Sequence, residues 1–190
     1  MAEEPEKDEN GLVVQNYEAM VLVVLPEEGF GEQTLRYARS CLFNVHVGTR
    51  MTSTDDSKMV NGALQDELQP DLKLDGNVRL DEYAGVIFAG GPGARSLETN
   101  GDAQRLAKEA ASAGKLVAAW GESVAVLAAA GILKGKKVTG HPTLEKTLRA
   151  VGGKYTGNQV ETHGTFVTAQ DESAGLRFGR ALVQVVAILR

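Results

Sequence analysis

Unbroken apolar runs and helical apolar stripes take turns along this chain from Met20 onward. Met20-Val-Leu-Val-Val-Leu25 contains no polar residue, the pattern of a parallel strand covered on both faces. Pro26 and Gly29 mark a turn, and Leu35, Ala38 and Leu42 then share one stripe of a helix predicted over Glu32 to Phe43. Asn44 to Val47 reads as the next strand. Asn61 to Leu80 alternates polar and apolar residues around Pro70 and Gly76, which predicts an excursion or hairpin rather than another crossover.

The strand–helix rhythm then resumes. Gly85 to Ala89 is a short buried strand ending in Gly90-Gly91-Pro92-Gly93, and Asp102 to Ser112 is a helix with Leu106 and Ala110 four apart. Leu116 to Trp120 is a buried strand, Ser123 to Ala130 an Ala-rich helix closed by Gly131, and Lys137 to Thr139 a short strand. Thr143 to Val151 is an amphipathic helix, Val160 to Thr168 is late strand material, and Gly175 to Leu189 is a final helix carrying Leu176, Phe178, Leu182, Val185 and Val186. This order predicts an α/β fold: a doubly wound, three-layer α/β sandwich around a mostly parallel sheet, flavodoxin-like. One domain is expected over 19–190. Residues 1–18 form an acidic, disordered tail, since Met1 to Asn10 is nearly devoid of large apolar groups.

Composition narrows the partners. The 190 residues carry a net charge of −5, and no basic stripe offers itself to nucleic acid. No run reaches the ~20 apolar residues of a membrane span, and no basic, apolar leader opens the chain. A single cysteine, Cys41, excludes an internal disulfide and a multi-cysteine metal site. This fits a cytoplasmic protein with no metal and no cofactor. Cys41 lies beside the apolar stripe of the first helix and reads as a small core hydrophobe. His46, in the expected second strand, and His163, before a turn, have no partner spacing for a metal.

The candidate chemistry sits where Leu116 to Trp120 turns into the Ala-rich helix. Such an elbow lifts one side chain over the carboxyl edge of a sheet. The run Lys115 to Pro142 resembles the ThiJ/PfpI superfamily, relatives of the class I glutamine amidotransferases. That family's elbow reads Ala-x-Cys-x-Gly, with the Cys ten residues before the Gly of an Ala-Gly-[Ile/Leu]-Leu stop. Counting ten back from Gly131 gives Gly121. Tyr83-Ala-Gly-Val-Ile-Phe-Ala-Gly-Gly-Pro-Gly-Ala-Arg95 resembles the family's Gly-Gly turn, and His163-Gly-Thr-Phe-Val-Thr-Ala169 its late strand. The resemblance covers Met20 to Ile188. It implies three site components: an acid after the first strand, an oxyanion pocket at the Gly-Gly turn, and the elbow cysteine. It also implies a homodimer.

This chain departs from that pattern at two components. Gly90 and Gly91 keep the turn, where amides approach a developing anion without a Cβ in the way. Family spacing from Gly29-Phe30 puts Thr34 at the acid position, with Glu32 two residues early. A small deletion brings Glu32 into the site; an exposed place on the helix, or a role at the helix start, is the alternative. Gly121 replaces the cysteine and Glu122 follows it, either as a dipole-stabilised helix-start residue or as a general base. Ser123, His141 and Trp120 complete the candidate binding residues.

Three functions remain open. Without a thiolate there is no thiohemiacetal or thioester, so a non-catalytic module that binds a small molecule, regulates or assembles is the first reading. A Cys-independent carbonyl enzyme of glyoxalase or hydratase type, using Glu122 or Glu32, is the second. The third is a serine hydrolase, because Gly121-Glu-Ser-Val-Ala125 approaches Gly-x-Ser-x-Gly, although Ser123 falls two residues past the apex.

Overall fold

A computed structural model describes residues 17–189; the acidic Met1 to Asn10 run and most of the expected 1–18 tail lie outside the described residues. In chain order the elements are β1 (Ala19–Val24), β2 (Glu28–Phe30), α1 (Glu32–Phe43), β3 (Val47–Ser53), β4 (Val60–Gly62), β5 (Glu67–Leu68) and β6 (Leu72–Lys73). There follow β7 (Gly85–Phe88), α2 (Gly101–Ser112), β8 (Leu116–Trp120), α3 (Val124–Ala129), β9 (Lys137–Val138), α4 (Glu145–Ala150), β10 (Lys154–Tyr155), β11 (Val160–His163), β12 (Phe166–Ala169) and α5 (Gly175–Leu189).

Seven strands form the main sheet in the order β11-β12-β8-β7-β1-β3-β6. Its pairings are parallel except β11 with β12. Strand period two divides the core into two layers. Leu22, Val24, Val86, Phe88, Val117 and Ala119 face the side packed by α2 and α3. Val21, Val23, Ile87, Leu116, Ala118 and Trp120 face the other, with Leu35, Ala38 and Leu42 of α1 and Phe178, Leu182 and Val185 of α5. The doubly wound α/β sandwich is therefore present. β1 pairs with β3 on one flank and β7 on the other, so crossovers leave it in opposite directions and a crevice opens at its carboxyl end.

The local differences have physical causes. The second strand begins at Val47, not Asn44, because His46 takes φ 58° and turns the chain there. His46 is thus a turn residue; His, like Asn and Asp, is enriched in that left-handed region, where β-branched residues are outliers. The 61–80 excursion contains the β4–β5 hairpin, and β6 then adds a parallel edge strand beside β3. The late strand material divides at Gly164 into the β11–β12 hairpin. Cys41 is only half buried, against α5, where a Cβ on Gly179 would stand 2.8 Å from its Sγ. It belongs to the helix–helix seam rather than the interior.

Candidate functional site at the β8 elbow

The crevice beside β1 is closed by the chain's own backbone. Gly31 N–H donates to Gly90 O at 2.6 Å and Gly93 N–H to Gly29 O at 3.2 Å, seating β2 on the Gly90–Gly93 turn. That approach needs glycine at Gly91: its φ is 115°, and a Cβ there would stand 2.3 Å from Gly29 O. What stays open lies two strands from β1, over β8.

β8 ends at Trp120, and Gly121 turns the chain with φ 62° into a single 3-10 turn, Gly121–Ser123, ahead of α3. This is the elbow geometry, and glycine holds its apex. A Cβ on Gly121 would meet nothing closer than Gly91 N at 3.9 Å and Gln170 O at 4.0 Å. Above it lies an open cavity of about 290 Å³. Gly91, Pro92, Trp120 and Gly121 line it together with the polar side chains of Glu122, His141, Asp171 and Glu172.

Each of these polar residues has a structural reason for its place. His141 N–H donates to Gly121 O at 3.1 Å, which fixes the loop after β9 against the elbow. The His141 Nδ1 stands 3.9 Å from Glu122 Oε1, and both side chains are partly exposed. Asp171 accepts from Ser173 N–H at 2.9 Å and opens the turn that leads into α5. Glu172, on that same turn, accepts from the Trp120 indole Nε1–H through one carboxylate oxygen and from Thr34 N–H at 2.9 Å through the other. Thr34 is the residue that family spacing placed at the acid position. Glu172 thus brings a carboxylate to the backbone of that residue from 138 positions away in the chain.

Two glycines clear the space for this pair. A Cβ on Gly31 would lie 1.8 Å from Glu172 Oε1, and one on Gly90 would lie 2.8 Å from Trp120 Nε1. Gly90 therefore supports Trp120 from below and does not line the cavity. Trp120 belongs to both the core and the cavity lining: its ring packs on Phe178 with centroids 5.5 Å apart while its polar edge points toward Glu172.

Two other candidates are not brought to the cavity. Glu32 is 4% exposed, so it is neither on the helix surface nor in the elbow site. Its Oε1 accepts from Leu64 N–H and Asp66 N–H, both at 2.8 Å, and so pins the β4–β5 hairpin onto the start of α1. It makes no side-chain cap of α1. Ser123 is fully buried, its Oγ 2.8 Å from Phe88 O and 2.9 Å from Trp120 O. Its one proton serves those carbonyls, and its hydroxyl faces the core, which removes the serine nucleophile. Pro92, Asp171 and Glu172 are the site residues that local sequence patterns did not mark.

Among the described residues no group of three or more His, Cys, Asp or Glu is arranged to hold a metal ion, and no helix is long and apolar enough to cross a membrane.

Residues 19–185 match the DJ-1/PfpI family. A ThiJ/PfpI domain protein from Brachyspira murdochii superposes with a TM-score of 0.85 at 26% identity, covering 90% of this chain and 98% of its own. An uncharacterised protein of Methanocaldococcus jannaschii is 29% identical over 171 residues, covering 88% of this chain and 82% of that protein. A deglycase of Pyrococcus horikoshii is 27% identical over 100 residues, which is 53% of this chain and 60% of that protein.

Proposed function

The chain belongs to the DJ-1/PfpI family, and on that premise we propose that its elbow pocket binds a small molecule without forming a covalent bond to it. One observation carries this reading: the elbow keeps its φ 62° apex and the open volume above it, while the apex residue is Gly121, which has no side chain. A thiolate attack on a carbonyl needs a sulfur at that point, and the lone cysteine, Cys41, is in the α1–α5 seam. The deglycase relative supports a small carbonyl compound, or an amine modified by one, as the occupant.

The Glu122–His141 pair favours a second reading, a Cys-independent carbonyl enzyme. A carboxylate 3.9 Å from an imidazole can relay a proton to a substrate oxygen polarised by Gly91 N–H, and such transfer contributes ~10²–10⁴-fold. Glu32 has no part in it, because its carboxylate is engaged with the hairpin amides.

Trp120 is the chain's one tryptophan, so its emission reports occupancy of the cavity that it lines. Under the binding reading, methylglyoxal changes that emission reversibly, and mass spectrometry of the intact protein finds no adduct at the elbow. An unchanged emission up to tens of millimolar of methylglyoxal and of simple amines would remove the pocket as a binding site.

A further inference from the structure

We propose that Glu172 is the specificity-determining residue of the elbow pocket, and that it makes the pocket select cationic or neutral small molecules and reject anions. The proposal rests on the binding reading above and adds the ligand's charge class.

The position of Glu172 is built rather than incidental. Its carboxylate occupies the space that a side chain on Gly31 would fill, and Gly90 leaves the space that its partner Trp120 fills. The Trp120 indole and the Thr34 amide each donate to a different oxygen, so the group is fixed in orientation from two elements, β8 and α1. Each carboxylate oxygen has two lone pairs. Two donors leave acceptor capacity on both oxygens, on a residue that lines the cavity. A carboxylate anchored in this way holds its charge in place beside Trp120, on the lining of the cavity.

The rest of the lining reinforces the sign. Glu122 and Asp171 add two carboxylates, His141 stands against Glu122, and none of the eight lining residues is Lys or Arg. The single Gly91 amide nitrogen, 3.9 Å from a Cβ at the apex, accommodates a neutral carbonyl oxygen, but it does not offset three carboxylates on the lining against an anion. Of the three, Glu172 is the one whose carboxylate accepts a hydrogen bond from Trp120. Its charge is therefore the one held in place against Trp120, the residue before the apex.

The test places a thiol at the apex of the full chain as Gly121→Cys with Cys41→Ala. Three methanethiosulfonates of similar reach are compared, each rate divided by that reagent's rate with a free small thiol: 2-hydroxyethyl (neutral), trimethylammonioethyl (cationic) and sulfonatoethyl (anionic). Each forms a mixed disulfide with the thiolate and expels methanesulfinate. The cationic reagent is expected to react faster than the anionic by about fivefold or more at low salt. Glu172→Gln should lower that ratio at least threefold, and Glu32→Gln should leave it unchanged. Normalising to the neutral reagent removes any effect of altered access, which a merely structural role of Glu172 would produce. A charge ratio near one, or a ratio untouched by Glu172→Gln, overturns the proposal. A thiol inert even to the neutral reagent would instead overturn the open elbow pocket itself, so the two failures are distinct. The unmodified chain gives an independent measurement. n-Butylammonium should shift Trp120 emission saturably where butyrate at equal concentration does not; equal responses would contradict the charge selection.

Discussion

A Cβ on Gly121 would stand 3.9 Å from the amide nitrogen of Gly91, close enough for that N–H to face an atom bound at the elbow and far enough to cause no clash. The apex thus has room for a side chain that it does not carry. Its only cost is backbone: φ 62° lies in the left-handed region, where an L-residue loses about 1–2 kcal/mol. Gly121→Ala should fold, with a melting temperature lowered by about 2–8 °C. Gly91→Ala should fail to reach the native fold, because its Cβ would fall 2.3 Å from Gly29 O and 2.5 Å from Gly31 N, both backbone atoms. Thermal melts of the two variants check the contrast; equal losses would contradict the open apex.

Glu32 holds a hairpin, and its removal should be felt there. Glu32→Ala leaves the Leu64 and Asp66 amides without their acceptor, at a cost of about 1–3 kcal/mol. Hydrogen exchange at those two amides should accelerate by at least tenfold, while the Trp120 emission stays as in the parent. An altered Trp120 signal with protected hairpin amides would place Glu32 in the elbow site after all.

Gly31 makes room for the Glu172 carboxylate. Gly31→Ala should displace it, because the new methyl would sit 1.8 Å from Oε1. The Trp120 indole then loses its acceptor, and stability falls by about 1–3 kcal/mol from overpacking. A shifted Trp120 emission maximum, reproduced by Glu172→Ala, would confirm the link; an unshifted maximum in both variants would contradict it.

The fold was legible wherever one element declares itself by periodicity. The Leu35/Ala38/Leu42 stripe marks α1, and the unbroken Leu116–Trp120 run marks β8, each with the observed bounds. The elbow was legible because strand, turn and Ala-rich helix are contiguous. Glu172 was not, because nothing within its own stretch distinguishes it from a residue opening a helix. It becomes a site residue only when α5 packs on α1 and brings Thr34 and Trp120 to it, across 138 and 52 positions of chain. Glu32 was misplaced for the same reason, its partners being 32 and 34 residues away on a hairpin whose turn carries no strong signal. His46 shows the local limit: one residue with positive φ delays β3 to Val47.

Tyr155 gives the site a dependence on alkaline pH. Its hydroxyl donates to Gly140 O at 3.4 Å, next to His141. Burial raises its pKa above the usual 10.0, and Glu145 adds to that, while Gln170 and Arg149 oppose it. The raised folded value means the neutral phenol is favoured in the native state. That stabilisation is full below about pH 10 and is lost as pH rises through the folded value. Absorbance at 295 nm should show one phenol titrating later than it does in the unfolded chain, and Tyr155→Phe should remove that late step. A late step that survives in Tyr155→Phe would contradict the assignment.

The central claim is that the elbow pocket of this DJ-1/PfpI chain binds without nucleophilic turnover, and methylglyoxal consumption by the purified wild-type protein tests it most directly. The assay is run beside Glu122→Gln and Cys41→Ser. The wild-type rate is expected to equal that of buffer, with neither substitution changing it. Turnover abolished by Glu122→Gln would contradict the claim and establish the Glu122–His141 pair as the centre of a Cys-independent carbonyl enzyme; turnover abolished by Cys41→Ser would show that the seam cysteine reaches substrate.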